Sequence, residues 1–403
     1  MIVQPFRGLR PRADLAASIP SLPYDVLDSA EARVLAEGDP YTFLHVVKAE
    51  IDLDPAIDVH DPRVYERART NFRAMIASGW LVPDPEPAFY LYRQRMGGHV
   101  QTGIVGSAAV EDYRAGRIKR HEHTRPDKVE DRTRHAVAIG AHAGPVFLAY
   151  RDRADLRAFT GEATKRRADV DFVAKDGIGH ALWKIDEPGD VRRIEEAFRD
   201  VPASYIADGH HRAAAYAEVA LRRGDGPGER FLAVHFPASE LRILDYNRTV
   251  ADLHGLTPRT LFEKIAAAGF EITDPWPAKR PPEPGSIGIF VDGRWRLLVT
   301  KRRSDVRDPV AALDVSVLQD LILAPLLGIG NPRKDTRIAF VGGIRGVDDL
   351  ERRVASGEAA VAFALYPTRL DDVMRVADAG AVMPPKSTWF EPKLRSGMVV
   401  RLL

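Results

Sequence analysis

A mixed α+β protein of two domains is what this 403-residue sequence predicts, and three observations carry the prediction. Short apolar runs of strand length alternate along the whole chain with stretches of helical apolar spacing, a pattern of mixed architecture. After Leu253 the character changes: a helical pattern at 258–268 leads into a link carrying Pro275, Pro277, Pro281, Pro282 and Pro284, which places a boundary near residue 255. The length and the 45% of hydrophobic residues suffice for more than one core. We therefore expect an N-terminal α+β domain over 1–254 and a C-terminal α+β domain over 255–403.

Residues 2–9 read as a strand closed by Arg10-Pro11, and Pro23 fixes a turn at Pro23-Tyr24-Asp25-Val26. Asp28 is placed to N-cap a helix through about Glu37, with Glu31 in capping-box position, and Asp39-Pro40 ends it ahead of the apolar run 43–47. The apolar spacing of 62–79 predicts a helix, and strands at 88–93 and 100–110 turn at Gly97-Gly98. From Asp112 to Arg134 the chain is charged without a core pattern and reads as a loop, the next helix starting at Ala136 and running to Ala143. An apolar run at 146–150, a helix at 154–159, strands at 171–173 and 180–185 and a helix at 191–198 follow. Strands at 231–236 and 241–246 come next, and Asn247-Arg248-Thr249-Val250 closes the first block. The second contains the helix 258–268, a hairpin at 287–299, helices at 315–326 and 347–356, and strands at 337–341 and 359–365.

Composition excludes little but is informative. The 58 basic and 57 acidic side chains leave a formal charge of +1, so no bulk attraction to nucleic acid or to an anionic membrane is implied. The absence of cysteine removes disulfides, thiolate metal sites and cysteine nucleophiles, and fits a cytoplasmic protein. No apolar run reaches the ~18 residues of a membrane span, and the opening Met1-Ile-Val-Gln-Pro-Phe-Arg is not a signal peptide.

The segment Ser204-Tyr-Ile-Ala-Asp-Gly-His-His-Arg-Ala-Ala-Ala-Tyr216 carries the strongest chemistry. A strand pattern breaks at Asp208-Gly209 and resumes as an alanine-rich helix. Gly209 permits the sharp turn, and the first free amides of the helix form a natural anion site. His210, His211 and Arg212 put three basic donors where the helix dipole prefers negative charge, so we read the turn as a phosphate site. The plainer alternative is that Asp208 N-caps the helix and the histidines are satisfied, partly buried residues.

Arg120-His121-Glu122-His123-Thr124-Arg125 is the second cluster. His121 and His123 share a face if the segment is extended, but no third metal ligand stands at a telling spacing. Glu122 is the better candidate, as a base or a Mg²⁺ partner, with Arg120, Arg125 and Arg132 balancing its charge or meeting phosphates; a solvated salt-bridged face is the alternative. The third cluster, Met383-Pro-Pro-Lys-Ser-Thr-Trp-Phe-Glu-Pro-Lys393, sets Lys386, Ser387 and Thr388 as phosphate donors and Trp389 as a pocket wall, or merely docks the C-terminal segment. Val341-Gly342-Gly343-Ile344 falls short of a dinucleotide fingerprint.

Taken together, Pro5-Phe-Arg-Gly-Leu-Arg-Pro11, Pro23-Tyr-Asp-Val26, Arg120-His-Glu with Thr124, Asp208-Gly-His-His-Arg212 and Met383 to Lys393 resemble, in order and over nearly the whole chain, the large prokaryotic family called domain of unknown function ten-fifteen (DUF1015). Over about a dozen residues the Asp208–Arg212 turn is also similar to the strand, Gly-x-x-Arg, helix element of the ParB and sulfiredoxin superfamily, and in particular of ParB-like free serine kinases. That resemblance implies a ParB/sulfiredoxin-like element embedded in the larger N-terminal domain. It also implies a nucleotide-dependent kinase that uses ATP or ADP with Mg²⁺ to phosphorylate a hydroxyl of a small metabolite such as an amino acid. Carried over, it puts Gly209, His210, His211 and Arg212 on the phosphates and Asp208 near the metal or the hydroxyl. To these we add Glu122 as base or second metal partner, Arg120, Lys386, Ser387 and Thr388 as further nucleotide contacts, and Arg7, Tyr24, Asp25, His121 and Trp389 as substrate contacts, with Asp25 the runner-up base. A nucleotide-hydrolysing regulatory module and a phosphatase are the alternatives; a homodimer is compatible with either. His210→Ala or Arg212→Ala is expected to abolish turnover with little loss of folding.

Overall fold

The computed structural model describes residues 1–224, 229–300 and 308–403. The fold is mixed α+β, and tertiary contacts divide it into two units, Met1–Leu241 together with Pro392–Leu403, and Arg242–Glu391. The expected boundary lay near residue 255. The proline-rich link that suggested it falls inside the second unit, and a dozen C-terminal residues return to the first.

In the first unit, among the described residues, a nine-stranded mixed sheet runs in the order Ile118–Lys119, Ser204–Asp208, Val146–Tyr150, Arg230–Pro237, His99–Ala109, Phe89–Met96, Gly179–Ile185, Val170–Val173, with Val3–Gln4 also pairing to His99–Ala109. Gly97 has φ 57, as the tight turn of the Phe89–Met96 and His99–Ala109 hairpin requires. One face of the sheet presents Leu91, Ile104, Leu148, Ile206 and Phe231 to the core. The helix His210–Arg223 packs there through Ala213, Tyr216, Ala217 and Ala220, positions spaced by three and four. A second core gathers Phe43, Leu44, Phe72, Met75 and Ile139. Its main helix, Pro62–Ala77, starts on Pro62 with Asp61 accepting from the Arg63 amide. The helix Ser29–Ala36 opens with the expected capping box between Asp28 and Glu31.

Three sequence expectations are corrected. The strand at 2–9 is two short strands, Val3–Gln4 and Gly8–Pro11, in different sheets; Pro5 between them has no amide to donate to a ladder. Residues 112–134 are a loop only in part: 120–125 are irregular, but the strand Ile118–Lys119 precedes them and a helix spans Pro126–Ile139, with Pro126 as its first residue and Gly140 ending it at φ 69. Its buried face is partly polar, with Asp131, Thr133 and His135 hydrogen-bonded inside, which hides it from an apolar-spacing search. Residues 247–250 do not close the first block: Tyr246–Val250 is an inner strand of the second unit's six-stranded antiparallel sheet, ordered Phe270–Thr273, Arg294–Thr300, Ser286–Val291, Val361–Leu365, Tyr246–Val250, Ile338–Gly342. A two-stranded pair, Arg242–Leu244 with Trp389–Glu391, completes that unit's sheets. Among the described residues, no helix is long and apolar enough to cross a membrane.

The last twelve residues lace the first unit. Gln94 donates to the Lys393 carbonyl, Arg395 to His180 at 3.3 Å, the Ser396 amide to Ser21 and the Gly397 amide to Ala143. Val400–Leu402 then joins a four-stranded sheet with Leu81–Pro83, Gly8–Pro11 and Ala141–His142.

Candidate functional site

The strand Ser204–Asp208 slips register between Ile206 and Asp208, and Gly209 follows at φ 92. That conformation favours glycine, and a Cβ there would also stand 3.0 Å from Nε of Arg212. The first intrahelical donor is the Ala213 amide, to the Gly209 carbonyl at 2.9 Å, so the amides of His210, His211 and Arg212 precede the first closed turn. Asp208 does not cap this helix; Gly209 occupies the cap position without a side-chain cap bond. Of the plainer alternative the cap is therefore absent, while its hydrogen-bonded histidines are present, His210 buried and His211 half-buried.

Asp208 instead meets two cations. Lys393 Nζ lies 3.1 Å from its Oδ2 and Arg212 Nη2 lies 3.5 Å from its Oδ1. Burial alone would raise the Asp208 pKa, but Lys393 and then Arg212 overcome it and hold the carboxyl well below the usual range. Arg212, 4% exposed, donates to the Pro145 carbonyl at 2.6 Å and stands 3.8 Å from Asp25. Its charge is spent inside the protein.

The histidines are not cationic donors. The His121 amide donates to His210 Nε2 at 3.4 Å, which leaves the His210 proton on Nδ1, 3.6 Å from Glu122 Oε2. Burial, with a smaller contribution from His121, pushes His210 well below its ordinary pKa. The two rings meet edge to face at 4.4 Å. The Arg125 amide donates to His211 Nε2 at 3.1 Å, and burial lowers that imidazole too. The three expected cations therefore reduce to one, and the conflict with the helix dipole that the sequence posed disappears because both imidazoles are neutral.

The Arg125 bond also joins the start of the helix Pro126–Ile139 to the start of His210–Arg223. Tyr24 lies under the Arg132 guanidinium at 4.1 Å, and burial, reinforced by Asp25, keeps its hydroxyl protonated. Arg120 is exposed above the Tyr113 ring at 5.3 Å, and its charge adds to the depression of His210. Thus Tyr24, Asp25, Arg120, His121, Glu122 and 208–212, scattered in sequence, form one neighbourhood.

The remaining candidates have contacts of their own. Arg7 is exposed and pairs at 3.7 Å with exposed Glu86. Lys386, Ser387, Thr388 and Trp389 belong to the unit Arg242–Glu391. There Ser387 Oγ donates to the Pro384 carbonyl, the Lys386 ammonium sits 5.6 Å over the ring of Tyr246 on the strand Tyr246–Val250, and Trp389 Nε1 donates to Glu391. The lysine beside Asp208 is Lys393, the last residue of the same proline-rich motif, where the sequence points to Lys386.

Among the described residues, no group of three or more histidine or carboxylate side chains is arranged to hold a metal. Mg²⁺ on a nucleotide takes one or two carboxylates beside phosphate oxygens and waters. Glu122, with its side chain 53% exposed, fits that role; Asp208, with a cation at each oxygen, does not.

The neutral buried histidines make a prediction. Burial pushes His121 and His135 from 6.5 down to about 4. Their folded pKa values lie below the unfolded ones, so this stability is fully present above about pH 6.5 and is lost as pH falls toward 4, with Asp208 adding the same sign further below. The melting temperature should fall steadily between about pH 7 and pH 4.5, and His135→Gln, which keeps a donor for the Val46 carbonyl, should flatten the slope. An equal slope in both proteins would contradict the assignment.

Fold and turn define an α+β protein whose candidate site is built at a strand-to-helix turn. The chain belongs to the family described as protein of unknown function (DUF1015), whose profile matches residues 3–316. No curated protein matches it. Solved structures similar to it include SbnI with a C-terminal truncation from Staphylococcus aureus, at 12% identity over 71% of this chain and 82% of that chain with a TM-score of 0.39. Free serine kinase in complex with AMP is similar at 13% identity over 72% and 86%, with a TM-score of 0.32. A conserved hypothetical protein from Pyrococcus furiosus is similar at 15% over 74% and 95%, with a TM-score of 0.33.

Proposed function

We propose that the Asp208–Arg212 turn binds the phosphates of ATP or ADP and that the protein is a kinase for a small hydroxyl-bearing metabolite such as an amino acid. The observation that carries this reading is the meeting of two helix N-termini at neutral histidines beside one half-exposed carboxylate, Glu122. Free amides there favour anions, and neutral imidazoles leave that potential undiminished without themselves requiring a counter-ion. Arg120 adds exposed positive charge, while Lys393 and Arg212 hold Asp208 in place.

Transfer from ATP needs little covalent help from protein. The substrate hydroxyl gives its proton to Glu122 as its oxygen bonds to the γ-phosphorus, and the bond from that phosphorus to the bridging oxygen breaks to release ADP. His210, through Nδ1, orients the Glu122 carboxylate. Mg²⁺ carried on the nucleotide supplies charge neutralisation.

A thermal-shift screen against ATP, ADP, CTP and GTP, with and without Mg²⁺, tests binding. A ligand at a hundredfold excess over its dissociation constant adds about 2.7 kcal/mol. A shift that is lost in His210→Ala, followed by a phosphorylated amino acid in the presence of ATP, is the expected outcome. Binding without a phosphorylated product would instead indicate a regulatory nucleotide module. Phosphate release from phosphorylated metabolites without nucleotide would indicate a phosphatase.

A further inference from the structure

We propose that the unit Arg242–Glu391 holds a second ligand site, independent of the turn at Asp208, in which Arg248 receives a small organic anion with an apolar body. Arg248 stands on the inner strand Tyr246–Val250 and is 1% exposed. Its Nη1 donates to the Tyr246 carbonyl, and its Nη2 donates to the carbonyls of Lys386 at 3.0 Å and Pro385 at 3.4 Å. A guanidinium has five donors, so two remain without an acceptor among the described residues, and none of the three acceptors carries a charge. A buried cation paired only with carbonyls is costly, and burial pushes this guanidinium down to about 9. An anion supplies both missing features, the counter-charge and a two-oxygen acceptor.

The space for one is present. Arg248 lines a cavity of about 390 Å³ whose other walls include Val315, Leu323, Ile338, Phe340 and Pro385. That volume suits a small molecule, and the Phe340 ring, its centroid 5.3 Å from the guanidinium carbon, adds aromatic surface to the wall beside the charge. The other polar groups of the lining are Ser316, whose Oγ donates to the Val310 carbonyl at 2.6 Å, Gln319, whose Nε2 donates to the Ile329 carbonyl at 2.7 Å, and two exposed carboxylates, Asp320 and Asp308, the latter accepting from the Val310 amide at 2.8 Å. Arg248 is the buried charge of this lining and the two carboxylates are solvated, so the guanidinium selects the anion and the wall selects an apolar body.

Two fluorescent probes test this on the full chain: 8-anilinonaphthalene-1-sulfonate, an anion on a two-ring body, and N-phenyl-1-naphthylamine, the same body without the anion. Saturable binding of one equivalent of the sulfonate, at least about tenfold tighter than the uncharged probe, is expected. Arg248→Met should remove the preference. Because that change disturbs a buried group, Ala311→Trp at the half-buried rim serves as the second variant. It fills the cavity with the guanidinium in place, and should abolish sulfonate binding with little change in melting temperature. Equal affinity for the two probes in the wild type, or undiminished sulfonate binding in Ala311→Trp, would overturn the proposal.

Discussion

Replacing Arg212 by methionine should lower the melting temperature of the protein by on the order of 10 °C, whatever it does to turnover. The guanidinium is almost completely buried and serves the Pro145 carbonyl, Asp208 and Asp25 at once. Methionine conserves much of the volume but leaves Asp208 with Lys393 as its remaining contact cation, and the Pro145 carbonyl without this donor. Removing one partner of a buried ion pair costs roughly 3–5 kcal/mol because the other charge stays buried. Adding Asp208→Asn should restore part of the loss, since the uncompensated charge goes with it. Thermal unfolding of the single and double variants checks this; a single variant as stable as the wild type would show that Arg212 is held for ligand rather than for the fold. The sequence had suggested little loss of folding, because a basic residue at a helix start reads as a ligand contact unless its burial is known.

Glu122→Gln should do the reverse. With its side chain 53% exposed, the change should move stability by no more than about 0.5 kcal/mol. If Glu122 takes the hydroxyl proton, phosphoryl transfer should fall by about 10²–10⁴-fold, while nucleotide affinity holds or improves as a carboxylate near the phosphates is neutralised. Single-turnover transfer from ATP, measured beside nucleotide binding, separates the two effects. Full transfer in Glu122→Gln would move the base to Asp25, which also faces His211 and Arg212. Loss of binding together with rate would assign Glu122 to the phosphate or metal side. His210→Gln should lower transfer less, because it disturbs the orientation of Glu122 and leaves the carboxylate itself.

Much of the local structure was legible because it depends on neighbours in sequence. The capping box at Asp28, the glycine hairpin at Gly97 and the turn at Gly209 all rest on one or two residues whose backbone preferences dominate. The helix Pro126–Ile139 escaped because part of its buried face is polar: Asp131 takes hydrogen bonds from Tyr65 and His60, and His135 meets the Val46 carbonyl, partners 66 to 89 residues away. Apolar spacing is blind to a face satisfied by distant hydrogen bonds.

By itself the sequence determined the mixed α+β class, the strand-to-helix turn at Gly209 and the set of motifs worth weighing, because periodicity and backbone preference are local properties. Only the tertiary structure decided which members of that set meet. It drew Tyr24, Asp25, His121 and Glu122 to the turn, chose Lys393 as the lysine beside Asp208, and placed Lys386 to Trp389 in the other unit. It also set the charges. Whether a histidine at a helix start is a cation depends on its burial and on which backbone amide claims its second nitrogen, and both are supplied by chain almost ninety residues away.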